Sequence, residues 1–147
     1  MTHATVQYGG DDFFIATSPS GHAQVVDFRG ERSAATAPLE MLLLSLGSCT
    51  GADVISVLRK KRERVTSYRI ELRGERRQEH PRSFRRIEVK HIVTGYGVAA
   101  KSVARAIELS TEKYCSVAAT IRPTAEIVST YEIHEEPALR VAPAESV

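Results

Sequence analysis

Short alternating runs open the chain. "ATVQY" (4–8), "DFFIAT" (12–17) and "HAQVVDF" (22–28) are β-rich, and Gly9-Gly10 and Ser18-Pro19-Ser20-Gly21 between them are turn chemistry, which predicts a β-meander. Residues 29–37, "RGERSAATA", are small and polar and read as a loop. Pro38 suits the first turn of a helix. The apolar positions that follow, Leu39, Leu42, Leu43, Leu46, Val54, Val57 and Leu58, form a helical stripe that fits no strand. That helix should end near Arg62, where basic residues complement the C-terminal dipole. Two further alternating runs, through Tyr68, Ile70 and Leu72 and through Ile87, Val89 and His91, flank "QEHPRS" and predict an antiparallel hairpin. "VAAKSVARAIELS" (98–110) reads as a second helix with Val103, Ala106, Ile107 and Ser110 on one face. "CSVAATI" is a candidate third, short helix before Pro123, and "AEIVSTYEI" (125–133) is the last strand.

The resulting order, βββ-α-ββ-α-α-β, groups strands and helices in blocks and predicts an α+β fold with antiparallel sheets. The long helix is unusually apolar for a surface element, which predicts that it lies buried, between subunits in a dimer. The final stretch, "EEPALRVAPAESV", has the composition of a flexible tail over 135–147.

Composition narrows the function without naming it. A chain of 147 residues is long enough for one domain with a core. Its net charge of +2 argues against a nucleic-acid partner, and the basic clusters around Arg59–Arg64 and Arg73–Arg77 read as solvated faces. No stretch approaches the ~20 apolar residues of a membrane span. The N-terminal "MTHATVQYGGDD" lacks a signal-peptide pattern, so a cytoplasmic location is expected. In that compartment a structural disulfide is improbable. Cys49 and Cys115 stand 66 positions apart with no C-x-x-C, which looks little like a zinc site even with His80 and His91 to complete it.

The two cysteines remain the candidate chemistry. On a helical wheel Cys49 falls on the flank of the apolar stripe, where a small buried side chain is the plain explanation. Asp53 projects about 40° further round, beside it. A carboxylate in that stripe needs a partner, and a cation beside both groups would also favour a thiolate at Cys49. Arg29 is the expected cation, with Arg32 second. Cys115 opens a short apolar segment, and a place at a helix N-terminus would lower its thiol pKa. Such a pair suits peroxide reduction, in which one thiolate becomes a sulfenic acid and the other condenses with it to a disulfide. Glu40 falls at the third helical position, on the opposite side from Cys49, and reads as a capping residue.

"SAATAPLEMLLLSLGSCTGADVISVL" (33–58) resembles the OsmC/Ohr family, the osmotically induced protein C and organic hydroperoxide resistance proteins. "STEKYCSVAATI" (110–121) resembles that family's second cysteine segment, and the hairpin "ERRQEHPRSFRRIEVKHIVTG" (75–95) fits its less characterised branch. The resemblance spans residues 5–134 and implies a single OsmC-like domain over 1–134. It also implies an intertwined homodimer in which sheets wrap around long central helices. Its peroxidase members react through the first cysteine, here Cys49, and resolve through the second, here Cys115. The resemblance further implies a hydroperoxide substrate, small-molecule or lipid, re-reduction by a dithiol such as a protein-bound lipoyl group, and no metal or organic cofactor. Those members carry a glutamate ten residues before the reactive cysteine; here that position is Leu39, and the acid comes next, at Glu40. Two rival functions keep the fold: a thiol protein whose substrate is not a peroxide, and a dimeric binding module in which the cysteines only pack.

Overall fold

A computed structural model describes residues 1–138. It has two compact units, Met1–Leu46 and a second that begins at Gly47.

The first unit is built on the predicted meander. Strands β1 (Thr5–Gly10), β2 (Phe13–Thr17) and β3 (Ala23–Asp27) pair antiparallel in that order. The tight β1–β2 connection uses left-handed backbone at Gly10, Asp11 and Asp12, with φ of 89°, 49° and 61°. Glycine and aspartate are the residue types that adopt it at least cost. Helix α1 (Pro38–Lys60) begins in this unit with the proline at its first position, as the sequence predicts. Glu40 caps it: Oε2 accepts the Ala37 N–H at 2.8 Å.

The second unit takes the rest of α1 together with β4 (Arg64–Arg76), β5 (Phe84–Tyr96), α2 (Ala100–Leu109), α3 (Ser116–Ile121) and β6 (Glu126–Glu135). Its sheet runs β4-β5-β6, so β5 is central. Alternation along β5 buries Phe84, Ile87, Val89, His91 and Val93. The β4–β5 hairpin is antiparallel, with Ile70 opposite His91 and Leu72 opposite Val89. Strand β6 corrects the expectation of antiparallel pairing throughout: it lies parallel to β5, Ile87 beside Ile127 and Val93 beside Ile133. The chain returns from β5 through two helices rather than a turn, and such a crossover brings the next strand back in the same direction. The strand extends to Glu135, and the Glu136 N–H bonds the Gly95 carbonyl at 2.8 Å. Residues 139–147, most of the expected tail, lie outside the described residues.

Helix α1 packs closely on β4 because two glycines face it. A Cβ at Gly47 would lie 2.7 Å from Leu72 Cδ1, and one at Gly51 2.6 Å from Ile70 Cδ1. Val54 and Leu58 continue that face into a cluster with Val93, Val98, Val103, Ala106 and Ile107. The helix is nevertheless less covered than a central core helix would be, with Leu44 60% exposed. By length and composition α1 would also pass as a membrane span, with 23 residues and a mean hydropathy of 1.7 over 18 of them. That corrects the expectation that no stretch comes near one, although a core helix meets the same criterion.

Candidate functional site

Cys49 and Asp53 stand four residues apart on α1, so they share a face one turn apart. Cys115 reaches them from the far end of the unit by an irregular route. After α2 the chain makes a π-helical turn over Ser110–Tyr114, closed by the Cys115 N–H on the Ser110 carbonyl at 2.9 Å. Cys115 then leaves helical geometry (φ −73°, ψ 102°) and becomes the N-cap of α3, its sulfur accepting the Ala118 N–H at 3.3 Å. The outcome is a cluster in which Cys49 Sγ, Cys115 Sγ and a carboxylate oxygen of Asp53 all lie within 4.8 Å of one another. Cys49 and Asp53 are half-buried and Cys115 is buried. The sequence motifs named these three residues; that a few ångströms would separate them is what the fold adds.

Two hydroxyls hold the cluster in register. The Ser110 hydroxyl donates to Asp53 Oδ2 at 2.8 Å, and Thr50 Oγ1 lies 3.0 Å from Ser110 Oγ. One hydroxyl has one proton, so Thr50 donates to Ser110 and Ser110 to Asp53. Both hydroxyl residues are buried. Sequence reasoning placed Ser110 on the buried face of α2 but gave it no role. The available signal was a hydroxyl in line with Val103, Ala106 and Ile107, since a buried polar group requires a partner.

The electrostatics of Cys115 run opposite to the expectation from its helix N-terminus. Its thiol is pushed up to about 11, by burial first and then by its hydrogen bond with Cys49; the Ala118 N–H pulls the other way and loses. Asp53 adds a further upward push. The short helix therefore does not make Cys115 the acidic thiol, which keeps its proton at neutral pH.

Arg29 and Arg32 belong to the first unit, where both are engaged by carboxylates. Arg29 pairs with Asp11 and Asp12, each at 2.7 Å. Arg32 holds both oxygens of Asp27 at 2.9 Å and reaches Asp11 at 3.1 Å. Asp27 also accepts the backbone N–H groups of Arg29 and Ala34. Its carboxyl is held well below the usual carboxylate range, chiefly by the Arg32 hydrogen bonds. The loop that follows β3 is thus organised around Asp27.

His80 and His91 do not join the cysteines. His80 lines an open depression at the tip of the β4–β5 hairpin, with Arg76, Arg77 and Arg85. His91 is fully buried and its Nδ1 meets the Tyr68 hydroxyl at 2.6 Å, the rings lying 9° from parallel. Burial pushes the imidazole down to about 4. Among the described residues, its Nε2 has no partner.

Comparison with known proteins agrees with this architecture. A model of the family described as OsmC-like protein matches residues 30–130, which include both cysteine segments. The chain belongs to the OsmC-like family. It is 41% identical over 121 residues to Protein YhfA of Escherichia coli K12, covering 82% of this chain and 89% of YhfA. A crystal structure of a hypothetical protein from Aquifex aeolicus superposes with a TM-score of 0.83 at 32% identity, over 93% of this chain and 98% of that one. The organic hydroperoxide resistance protein OhrB of Bacillus subtilis shares the fold, with a TM-score of 0.62 at 14% identity over 90% of this chain and 98% of OhrB. An OsmC-like chain with two neighbouring cysteines is consistent with a redox role.

Proposed function

We propose that this OsmC-like protein is a two-cysteine thiol peroxidase that reduces organic hydroperoxides. The observation that supports this reading best is the approach of the two sulfurs, within 4.8 Å across 66 positions of sequence. A modest movement brings that distance to a disulfide's ~2 Å. In the proposed cycle the Cys49 thiolate attacks the terminal peroxide oxygen. The O–O bond breaks, the alcohol leaves with a proton, and Cys49 becomes a sulfenic acid. The Cys115 thiol then attacks that sulfur, its proton leaves with the sulfenic hydroxyl as water, and the disulfide forms. A dithiol, such as a lipoyl group on a protein, returns both cysteines to thiols. The high proton affinity of Cys115 supports this order, because the group that waits as a thiol is the one that resolves.

Asp53 is the proposed acid beside the reactive thiol. The active form is proposed to be a cytoplasmic homodimer, whose partner would cover Leu44 and the exposed Val6, Tyr8, Ile15 and Val25 of the meander.

The test is thiol counting against a panel of alkyl hydroperoxides. One equivalent should consume both thiols and yield one intramolecular disulfide. Cys49→Ser should consume no peroxide, while Cys115→Ser should consume one equivalent and stop at a sulfenic or over-oxidised Cys49. A wild-type pair that outlasts excess hydroperoxide would transfer the function to a thiol protein with another substrate.

A further inference from the structure

We infer that the reduced cysteine pair and Asp53 form a binding site for a thiophilic divalent cation of the zinc class. The donor set is two sulfurs and one carboxylate oxygen, all within 4.8 Å of one another. In a tetrahedral zinc site with bonds of about 2.3 Å to sulfur, ligand atoms sit about 3.8 Å apart. The cluster needs to close by about 1 Å at most. Two thiolates choose zinc, cadmium or cobalt over magnesium and calcium, which prefer all-oxygen shells.

The surroundings resemble a supported metal site as well. Asp53 has one oxygen fixed by the Ser110 hydroxyl, which Thr50 fixes in turn. Cys115 Sγ already accepts the Ala118 N–H. Two of the three donors are therefore oriented from behind, as metal ligands are. Among the described residues of the second unit, Asp53 is in no ion pair, and a divalent cation would balance its carboxylate and two thiolates. With three protein donors, the fourth position is left to water or another small donor, and the half-buried Cys49 and Asp53 give the ion a way in. Binding exchanges protons for metal: each cysteine gives up its S–H proton as its sulfur bonds the ion, so about two protons are released per ion.

The experiment is an anaerobic titration of the fully reduced, full-length protein with cobalt(II), with no peroxide present. The expected result is one cobalt per chain, a near-ultraviolet thiolate-to-cobalt charge-transfer band and visible bands of tetrahedral intensity. Zinc should bleach both, and magnesium should leave them unchanged. Cys49→Ser and Cys115→Ser should each lose most of the charge-transfer band. Ser110→Ala keeps all three donors and should weaken cobalt binding roughly tenfold or more. Wild-type protein alkylated at both thiols should be silent, a control that does not depend on any variant folding. No band, a six-coordinate spectrum, a band that survives in either cysteine variant, or one cobalt per two chains would overturn the site. Since hydroperoxide is absent throughout, a silent titration does not touch the peroxidase reading, and failure of that reading leaves the cobalt spectrum intact.

Discussion

Acidification from pH 7 to pH 5 should destabilise this protein in a way that can be traced to a single buried side chain, His91. The side chain sits on the central strand with no exposed surface, and burial lowers its pKa from 6.5 to about 4. Tyr68 holds its own proton more tightly than usual, again through burial, so the 2.6 Å contact joins a neutral hydroxyl to a neutral ring and offers no charge to stabilise an imidazolium. Below pH 6.5 the unfolded chain takes up a proton that the folded chain refuses. The stabilisation is therefore complete above pH 6.5 and is lost progressively as the pH falls toward 4. Between pH 7 and pH 5 the two titration curves separate by about 2 kcal/mol, and below pH 4 the loss levels off near 3 kcal/mol. Against a total of ~5–15 kcal/mol, that is large for one imidazole.

The assay is urea unfolding at pH 7 and pH 5 at one fixed protein concentration, for wild type and for His91→Gln. Other groups titrate in the same interval, so the informative quantity is the difference between the two pH effects. Wild type should lose about 2 kcal/mol more than His91→Gln over the interval. Equal losses would show that His91 is hydrated or already charged in the folded state, and would refute the reasoning.

Two glycines should separate backbone from side-chain crowding. At Gly95 a Cβ would lie 2.1 Å from the Arg64 carbonyl oxygen, so Gly95→Ala should cost about 3 kcal/mol in urea unfolding. At Gly51 the obstacle is the movable end of Ile70, and alanine returns about 1 kcal/mol of helix propensity, so Gly51→Ala should stay within about 1 kcal/mol of wild type. Ser110→Ala should cost roughly 1–3 kcal/mol, because it leaves both the Asp53 oxygen and the buried Thr50 hydroxyl unpaired. Adding Thr50→Val should recover part of that loss, and a strictly additive double variant would sink the proposed chain of hydroxyls.

The elements were legible because each carries its own period. Alternation on β5 buries the face it predicted, the β4 face is half-buried, the α1 stripe is buried at Leu46, Val54 and Leu58, and Pro38 and Glu40 start α1 as their chemistry requires. What stayed hidden depends on pairing between distant segments. Nothing local to "AEIVSTYEI" states that β6 will lie parallel to β5, since direction is set by the two helices that precede it. The buried face of α1 was also misjudged in part: Gly47, Thr50 and Gly51 belong to it, and no hydrophobic count selects glycine or threonine. The sign of the Cys115 shift was out of reach for the same reason. A helix N-terminus can be read from sequence, whereas burial beside another sulfur cannot.

One residue ties the two halves of the candidate site together, and it is not one of the cysteines. Through its hydroxyl Ser110 holds Asp53 on α1; through its carbonyl it holds the N–H of Cys115. The carbonyl bond spans five residues rather than four, which makes the turn π-helical. A regular α-turn places successive side chains about 100° apart, so the one-residue difference in the loop decides which way Cys115 leaves α2. With the wider turn, Cys115 exits as the cap of α3 and its sulfur meets Cys49. The hydroxyl contact fixes the other end, because Thr50 and Asp53 flank Cys49 on the helix. The separation of the sulfurs is thus set by the backbone geometry of Ser110–Tyr114 and by one buried serine. A thiol pair that must alternate between separate thiols and a bond needs that distance held short without being fixed at contact.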